Sequence, residues 1–364
     1  MSYTCGAELK EPLHLSDGEV RAIDAVAERY PMLITDYYFS LIDPGDPDDP
    51  IRKMSVPSPL EADEDGSFDT SGEQFNTMIP GLQHKYRETA MVLSTNRCAM
   101  YCRHCFRKRL VGLSDEEIAR SFDAIMDYIR SHTEIHNVLI SGGDSFLNSD
   151  AVLERYLREL TEMEHIDYIR FGTRTPVTWP QRITSELLCL LEKYGHKKQI
   201  YVVTQFNHPR ELTAEAADAV KRLRRIGCVV RNQTVLMKGI NDDPAVLAEL
   251  LQSLAATGCT PYYIFQCRPV KGVKNSFQVP LRRGVEIVEQ AKARQSGMGK
   301  SVKYCMSHPE GKLEILGHIG AHGLLLKFHE AKNPENLGRI FSMPVEENTC
   351  WLPENLGLAE DDSV

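Results

Sequence analysis

The chain of 364 residues is long enough for one large catalytic domain with smaller additions. Its composition, 42% hydrophobic and 26% charged, is ordinary for a globular protein and provides for a sizeable core. The formal net charge of −9 argues against nucleic acid or another polyanion as the partner.

No window approaches the roughly eighteen uninterrupted apolar residues of a membrane-spanning helix. The first residues, MSYTCGAELKEPLHL, contain no apolar stretch that could act as a signal peptide. We therefore expect a cytoplasmic protein without a membrane partner. Its ten cysteines should then be reduced, so a tight cluster of them indicates a metal site rather than a set of disulfides.

The first segment, residues 1–80, is acidic and rich in proline. It contains DPGDPDDP at 43–50 and EADEDG at 61–66, next to a predicted helical stretch near 16–42. We predict that it forms a mainly helical cover over the rest of the chain.

Six strand–helix units follow at intervals of about 30 residues, in a predicted core domain of residues 81–297. The predicted strands are 91–95, 137–141, 168–174, 199–206, 228–236 and 262–267, and the predicted helices lie near 114–132, 149–163, 183–194, 213–226, 244–257 and 280–293. This spacing is typical of right-handed parallel crossovers and predicts an α/β fold, a partial (β/α)6 barrel of the TIM type. A doubly wound sheet would produce the same pattern, so that alternative stays open.

The last segment, residues 298–364, contains two short strand-like runs, KLEIL at 312–316 and LLLKF at 324–328. We predict that this α+β extension closes over the mouth of the barrel. No internal repeat beyond the βα period and no low-complexity stretch is apparent.

Three cysteines, Cys98, Cys102 and Cys105, follow the first predicted barrel strand in the run CAMYCRHC. Active sites of βα barrels are built from the loops at this end of the strands. A C-x3-C-x2-C pattern would arise by chance in only about 1% of chains with ten scattered cysteines. Thiolates favour zinc or an iron–sulfur cluster, and His104 offers a fourth ligand for structural zinc. Three ligands also suit a four-iron cluster with one open iron, which is our leading interpretation.

The C-x3-C-x2-C spacing resembles the signature of the radical S-adenosylmethionine (radical SAM) superfamily. The stretches MYCRHCFRKR (100–109), SGGD (141–144), FGTRTPV (171–177), FNHPRE (206–211) and NQTVL (232–236) resemble the lysine 2,3-aminomutase family, with similarity from about residue 80 to 315. The resemblance implies an isomerase that cleaves S-adenosylmethionine to a 5′-deoxyadenosyl radical and moves an α-amino group to the β-carbon with pyridoxal phosphate. It also implies a [4Fe-4S] cluster on the three cysteines, an electron donor of the flavodoxin or ferredoxin type, and a homo-oligomer.

The resemblance assigns six residues at or near predicted strand ends to cofactor binding: Gly142, Gly143, Asp144, Arg174, His208 and Gln233. The first three would contact the amino acid moiety of S-adenosylmethionine. An ordinary strand-to-helix turn that ends in an N-cap residue is the alternative interpretation of SGGD. For His208 the alternative is a satisfied polar side chain without a ligand.

The resemblance also makes Lys312, in HPEGKLEI, the lysine that holds pyridoxal phosphate, because only an amine can form the Schiff base. Lys85 and Tyr86 match positions that bind the cofactor phosphate and ring, with Lys85 in place of an arginine and without its bidentate fork. The family lysine follows a run of glycines, of which only Gly311 remains. A radical enzyme without pyridoxal phosphate is therefore kept as an alternative, with Lys312 as a solvated lysine at a strand start.

Two positions depart from the lysine-acting members of the family. Those members bind the distal ammonium of the substrate with two aspartates. In this chain Arg268 and Cys305 occupy these two positions. A third position does match, because Arg107 corresponds to the arginine that holds the substrate carboxylate. A guanidinium repels an ammonium, so lysine is a doubtful substrate. The positive charge of Arg268, together with that of Lys271, favours a substrate amino acid with an acidic or neutral polar side chain, such as glutamate. A non-catalytic zinc-binding protein is the rival from a different class.

Overall fold

The computed structural model describes residues 2–358, so Met1 and residues 359–364, at the outer ends of the predicted first and third segments, lie outside the described residues. The described strands are β1 (Ser2–Tyr3), β2 (Ile34–Thr35), β3 (Thr77–Ile79), β4 (Leu82–Tyr86), β5 (Thr89–Thr95), β6 (Asn137–Gly142), β7 (Tyr168–Gly172), β8 (Gln199–Thr204), β9 (Val229–Leu236), β10 (Thr260–Gln266), β11 (Lys303–His308), β12 (Gly311–Ile319), β13 (Gly323–Ala331) and β14 (Ile340–Pro344). The α-helices are α1 (Gly6–Leu9), α2 (Asp17–Arg29), α3 (Asp36–Phe39), α4 (Pro50–Ser55), α5 (Glu73–Asn76), α6 (Phe122–Ser131), α7 (Asp150–Thr161), α8 (Thr175–Thr178), α9 (Ser185–Gly195), α10 (Ala214–Arg225), α11 (Pro244–Thr257), α12 (Lys274–Phe277), α13 (Leu281–Ala293) and α14 (Gly297–Lys300).

Twelve of the described strands form one sheet, and their order in space is their order in the chain, from β3 at one edge to β14 at the other. Strands β5 to β11 pair in parallel, and the strands that flank them pair antiparallel. In a doubly wound sheet the strand order reverses at a switch point. Here each crossover leads to the next strand in the same direction across the sheet, as in a barrel. The edges β3 and β14 do not pair with each other. The fold is therefore an open, partial barrel, as predicted, and the doubly wound alternative is wrong.

The outer helices begin and pack as their sequences predict. Four of them start at a residue whose side chain accepts a backbone N–H from the first turn: Ser149, Thr184, Thr213 and Asp243. Each such cap contributes about 1 kcal/mol to helix stability. In α10 the buried residues Ala216, Ala219, Val220 and Leu223 recur at helical spacing, which turns one face toward the sheet. No helix within residues 2–358 is long and apolar enough to cross a membrane.

Strand β9 shows how the barrel interior is formed. Its eight residues alternate between buried and half-buried along the strand. The buried face packs toward the outer helices, and the half-buried face, which carries Gln233, points into the open barrel. The two-residue period therefore decides which side chains reach the interior.

Two predicted helices are shorter than expected. The stretch near 16–42 contains α2 and α3, but the short strand β2 separates them. The helix predicted at 114–132 begins only at Phe122, because the preceding residues pack beside β5, where Ala119 N–H donates to the carbonyl of Leu93 at 2.8 Å. The strands β3 and β4, which the sequence did not predict, pair with each other on the two sides of residue 80.

The C-terminal strands continue the barrel sheet. Strand β11 pairs in parallel with β10, and β12 to β14 extend the same sheet beyond it. The edge of β10 has free backbone groups, and β11 satisfies them. Closure of this segment over the barrel mouth stays a prediction. The run KYCMSH at 303–308 mixes polar and apolar residues and gave no strand signal.

Candidate active site

A cavity of about 380 Å³ lies inside the open barrel, from the ends of β5 to β9 to the hairpin of β12 and β13. Thirteen of the residues that the sequence analysis assigns to the cluster, the cofactors or the substrate line it: Cys98, Cys102, Cys105, Gly142, Gly143, Asp144, Arg174, Gln233, Lys85, Tyr86, Lys312, Arg107 and Arg268. His208 and Cys305 are not on its described wall. The fold thus gathers residues from both ends of the core into one space.

The loop that carries the cysteines is held by the N-terminal segment. Backbone N–H groups of Tyr101 and Arg103 donate to carbonyls of Leu33 and Met54, each at 2.9 Å. The buried Arg103 guanidinium also contacts both carboxylate oxygens of Glu61, with a shortest distance of 2.6 Å. The acidic cover segment therefore fixes the shape of the cysteine loop.

Glu73 is a buried acid that binds the basic run after the cysteines. Its Oε1 accepts from Nε and Nη2 of Arg107 at 3.1 and 2.8 Å, and its Oε2 accepts from Arg109 at 2.6 Å. Burial alone would raise the pKa of Glu73, but the guanidiniums of Arg107 and then Arg109 lower it to about 2. The remaining Nη1 of Arg107 faces Ser141 and the carbonyl of Gly142. The role of Arg107 toward a substrate carboxylate stays a prediction.

The three cysteines provide the donor set for a metal cluster. Cys98, Cys102 and Cys105 are free and all line the cavity. In a four-iron cluster each of three thiolates binds a different iron and the fourth iron stays open for a ligand. His104 Nε2 faces the amide nitrogens of Gln205 and Asn207, at 3.1 and 3.3 Å. Three thiolates on one loop therefore fit a four-iron cluster.

The glycines of SGGD hold the start of the cysteine loop. Gly142 has φ +113°, and a Cβ there would lie 2.3 Å from the carbonyl oxygen of Thr95. A Cβ on Gly143 would lie 2.4 Å from the carbonyl oxygen of Arg97. Glycine is required at both positions because the backbone just before Cys98 passes directly against them, at Thr95 for Gly142 and at Arg97 for Gly143. Their predicted contact with S-adenosylmethionine stays a prediction.

Asp144 joins the ends of β6 and β7. Its carboxylate accepts from Thr173 Oγ1 at 2.5 Å, from the backbone N–H of Arg174 at 2.6 Å and from that of Phe146 at 3.0 Å. Burial raises the pKa of Asp144 to about 6, although these hydrogen bonds lower it. The alternative interpretation as an N-cap residue describes these contacts, which begin the 3₁₀ turn Ser145–Leu147.

The FNHPRE run places an acid that the sequence did not reveal. His208 accepts the backbone N–H of Arg210 at 3.2 Å and so begins the 3₁₀ turn Pro209–Glu211. The turn buries Glu211 completely, where it pairs with the guanidinium of Arg174 and accepts from the hydroxyl of Tyr38 at 2.6 Å. The visible role of the run is therefore to position Glu211 behind the cavity wall.

Lys312 lies opposite Glu330 in the pairing of β12 with β13. Its Nζ is 2.7 Å from Glu330 Oε2 and 4.6 Å from the ring centroid of Tyr263. A Cβ on Gly311 would lie 2.3 Å from the carbonyl oxygen of Glu330, so the glycine before the lysine allows the hairpin to close. Glu330 is a further residue that the sequence analysis missed, because only the cross-strand register brings it to the lysine.

Lys85 is a mostly buried amine without a carboxylate partner among the described residues. It donates to the carbonyl of His308 at 2.7 Å and to that of Ser71 at 3.4 Å. Burial lowers the pKa of Lys85 to about 7, with further lowering by Arg268 and other nearby cations. An anion bound beside it would restore its charge, which fits the predicted phosphate contact.

Arg268 lines the cavity as a cation without an ion-pair partner among the described residues. Its guanidinium carbon lies 4.3 Å from the ring centroid of Phe106, and that of Arg107 lies 4.6 Å from the same ring. Within the described chain it makes no side-chain hydrogen bond and no ion pair. Burial lowers its pKa to about 10, which leaves it charged at neutral pH. Lys271 does not share this position, because it pairs with Glu64 at 3.2 Å and is not on the cavity wall.

Cys305 is buried in β11, across from Glu314 in β12. Burial raises the pKa of its thiol to about 12, so it stays protonated. Its predicted contact with substrate has no support from a position on the cavity wall.

The described cavity wall is strongly basic. Six basic side chains line it, namely Lys85, Arg107, Arg170, Arg174, Arg268 and Lys312, against three acids, Glu73, Asp144 and Glu330. Such a surplus suits ligands with carboxylate and phosphate groups. S-adenosylmethionine, pyridoxal phosphate and an amino acid all carry such groups.

The open βα barrel with three cysteines directly after its first parallel strand defines a class of enzyme. Residues 92–251 match the family model described as "Radical SAM superfamily". The protein is therefore a radical SAM enzyme, and the non-catalytic zinc-binding alternative is wrong.

Relatives with curated names narrow the class. A candidate L-lysine 2,3-aminomutase of Aquifex aeolicus (strain VF5) is 38% identical over 351 residues, which are 95% of this chain and 93% of the relative. The L-lysine 2,3-aminomutase of Clostridium subterminale is 40% identical over 80% of this chain and 70% of its own length. The glutamate 2,3-aminomutase of Clostridioides difficile (strain 630) is 40% identical over 83% of this chain and 71% of its own length.

This chain belongs to the lysine 2,3-aminomutase family. It is an isomerase that uses radical chemistry, as the cysteine run and its neighbouring motifs predicted. The family's cofactors are a [4Fe-4S] cluster, S-adenosylmethionine and pyridoxal phosphate.

Proposed function

We propose that the enzyme is a pyridoxal phosphate-dependent amino acid 2,3-aminomutase whose substrate has an acidic or neutral polar side chain, with glutamate as the simplest candidate. The observation that carries this proposal is the unpaired guanidinium of Arg268 on the cavity wall. The guanidinium is only half-buried, but it has no ion-pair partner among the described residues, and a substrate carboxylate would compensate its charge. An ammonium at the same place would be repelled.

Pyridoxal phosphate is the second part of the proposal. Lys312, Tyr86 and Lys85 all line the cavity, and the amine of Lys312 lies 6.0 Å from the ring centroid of Tyr86. Lys85 and Arg170 both line the cavity, and neither has a carboxylate within ion-pair distance among residues 2–358, which supports a phosphate bound near them. We assign Lys312 to cofactor attachment and Lys85 to the phosphate.

When bound, the cluster and S-adenosylmethionine supply a carbon radical, and pyridoxal phosphate supplies the group that carries the migrating nitrogen. The chain contributes position and shielding. In our proposal Cys98, Cys102 and Cys105 hold the cluster, while Arg107 and Arg268 orient the two carboxylates of the substrate. The cavity wall also carries apolar side chains from the strands, namely Met91, Leu139, Val203, Val235 and Phe265. Such a lining excludes water from a reactive radical.

Two partners follow from this chemistry as proposals. The cluster must receive an electron before it can cleave S-adenosylmethionine, so we propose a one-electron donor of the flavodoxin or ferredoxin type. We also propose a homo-oligomer, as in the family that the chain resembles.

Product analysis tests the substrate assignment. The reconstituted enzyme, incubated separately with glutamate and lysine under reducing, oxygen-free conditions, is expected to form the β-isomer of glutamate. The isomers are separated by chromatography and identified by mass spectrometry, with reactions lacking S-adenosylmethionine as the control. Efficient conversion of lysine with no turnover of glutamate would contradict the proposal.

The pKa of Lys85 makes cofactor affinity depend on pH. Below pH 7 the amine is charged and pairs directly with a phosphate, whereas above its pKa of about 7 it must first take up a proton. The apparent Kd for pyridoxal phosphate is therefore expected to rise by up to about tenfold per pH unit above neutrality. Absorbance titrations between about pH 6 and about pH 9 measure this slope.

Lys85→Arg is the matched variant for this measurement. Its guanidinium stays charged over the whole range, so the slope is expected to flatten while binding is retained. Parallel slopes for the wild type and Lys85→Arg would exclude Lys85 as the phosphate ligand, because changes at Lys312 affect both proteins equally.

A further inference from the structure

Arg174 lies against the sulfur of a predicted cluster ligand. Its Nη1 is 2.8 Å from Cys102 Sγ, and its Nε donates to the carbonyl of Gln205 at 2.9 Å. The residue is only 8% exposed, so the guanidinium is largely withdrawn from water. A cation is thus fixed beside the sulfur of one particular cysteine of the three.

Behind Arg174 stands a second set of buried groups. Glu211 pairs with Nη2 of Arg174 through Oε1, and the same oxygen accepts from the hydroxyl of Tyr38 at 2.6 Å. The other oxygen of Glu211 accepts the backbone N–H groups of Asn207 and His208, at 2.6 and 3.0 Å. Both Glu211 and Tyr38 are fully buried. The guanidinium therefore has one sulfur on one side and one carboxylate on the other, with little freedom to move.

We propose that Arg174 raises the reduction potential of the cluster through its contact with Cys102, and that Glu211 is the positioning residue that holds it there and partly offsets its charge. Hydrogen bonds to cluster sulfurs and the net charge around the cluster are the main protein controls on such potentials. The resemblance also implies that Arg174 contacts a cofactor. That role is separate from its proposed effect on the potential of the cluster.

The electron balance of the step is simple. One electron from an external donor takes the [4Fe-4S] cluster from the 2+ to the 1+ state, and no proton or bond needs to move. The added negative charge is delocalised over the irons and sulfurs, so a fixed cation near Sγ favours the reduced state. The carboxylate of Glu211 has the opposite effect from a greater distance.

Substitutions at the two positions should therefore shift the potential in opposite directions. With the reconstituted full-length protein, Arg174→Gln is expected to lower the midpoint potential by an amount near a tenfold change in the reduction equilibrium, about 59 mV for one electron. Glu211→Gln keeps the size of the side chain but removes the negative charge, and it is expected to raise the potential. Arg174→Lys keeps a cation and should recover part of the loss.

The potential is measured by redox titration of the electron paramagnetic resonance signal of the reduced cluster, without S-adenosylmethionine or substrate. The result then does not depend on which amino acid is isomerised. Arg182→Gln is the matched control, because Arg182 lies just after α8, binds the carbonyl of Phe146 at 2.7 Å and pairs with Asp150, with no contact to a cysteine. It should leave the potential unchanged.

Clear outcomes overturn the proposal. A wild-type potential in Arg174→Gln with weaker binding of S-adenosylmethionine would assign the residue to that cofactor alone. Shifts in the same direction for Arg174→Gln and Glu211→Gln would indicate a general structural disturbance. If Arg174→Gln does not hold a cluster, the proposal is tested with Arg174→Lys and Glu211→Gln instead. A midpoint potential of Glu211→Gln equal to or below that of the wild type would contradict the proposal.

Discussion

Lys312→Ala is expected to lower kcat/KM for amino acid isomerisation by about 10³-fold or more, while the iron content stays that of the wild type. The physical reason is that no other amine is placed to hold pyridoxal phosphate in the same way. Lys85, the other lysine on the cavity wall, is held by the carbonyls of His308 and Ser71. Reduction of the loaded protein with borohydride, followed by peptide mapping, should locate the cofactor on Lys312 in the wild type and on no peptide of the variant.

Lys303→Ala provides the matched control for this prediction. Lys303 lies in the adjacent strand β11 and pairs with Glu314 at 2.5 Å, much as Lys312 pairs with Glu330. Loss of Lys303 should leave the cofactor adduct in place and change activity only a few-fold. A yellow cofactor band that persists in Lys312→Ala would refute the attachment. A wild type that takes up no pyridoxal phosphate would favour the radical enzyme without it.

The parallel core could be predicted from the sequence because its signals are local. Each predicted strand from 91–95 to 262–267 corresponds to one strand of β5 to β10, since apolar runs between helical stretches recur at a regular interval. The edges could not be predicted in the same way. Strand β11 contains Lys303, Ser307 and His308, and it forms because β10 offers an unpaired edge, which is a property of the assembled sheet.

The metal site could also be predicted, because a cluster on one short loop is visible as spacing. The acidic residues that complete the site could not be predicted from the sequence. Glu73, Glu211 and Glu330 come from the N-terminal segment, a 3₁₀ turn and a hairpin, and each meets its basic partner only through tertiary packing. Their sequence neighbourhoods are unremarkable for charge, so no local pattern distinguishes them from solvated glutamates.

Two residues that the resemblance assigns to the site lie off the described cavity wall. Cys305 matches a substrate-binding position, yet in β11 it lies on the same face as Ser307, which lines the cavity, and is itself buried two residues earlier. His208 matches a cofactor position, yet its ring accepts the N–H of Arg210 and begins a turn. The depth of a side chain along a strand or turn depends on register, which short motifs do not specify.

Substitution of Arg268 should have the largest effect on the choice of substrate. Arg268→Gln is expected to lower kcat/KM for glutamate by about 10²- to 10³-fold, because removal of one partner of a buried charge pair costs about 2–5 kcal/mol. Arg268→Asp should lower it further by like-charge repulsion and should admit lysine, whose ammonium the new carboxylate would attract. Competition assays with both amino acids, analysed for their β-isomers, measure the change in preference.

Lys271→Gln separates the effect of Arg268 from that of general positive charge. Lys271 lies three residues later, pairs with Glu64 and is not on the cavity wall, so its loss should leave the glutamate kinetics within a few-fold of the wild type. Within residues 2–358 the guanidinium of Arg268 lies beside Phe106 and Arg107 without an ion-pair partner of its own, so its loss should be seen mainly in substrate binding, as a raised KM. Equal losses in Arg268→Gln and Lys271→Gln would mean that the cavity attracts glutamate through its overall field rather than through this one arginine. Unchanged glutamate kinetics in Arg268→Gln would show that the side chain of the substrate lies elsewhere in the cavity.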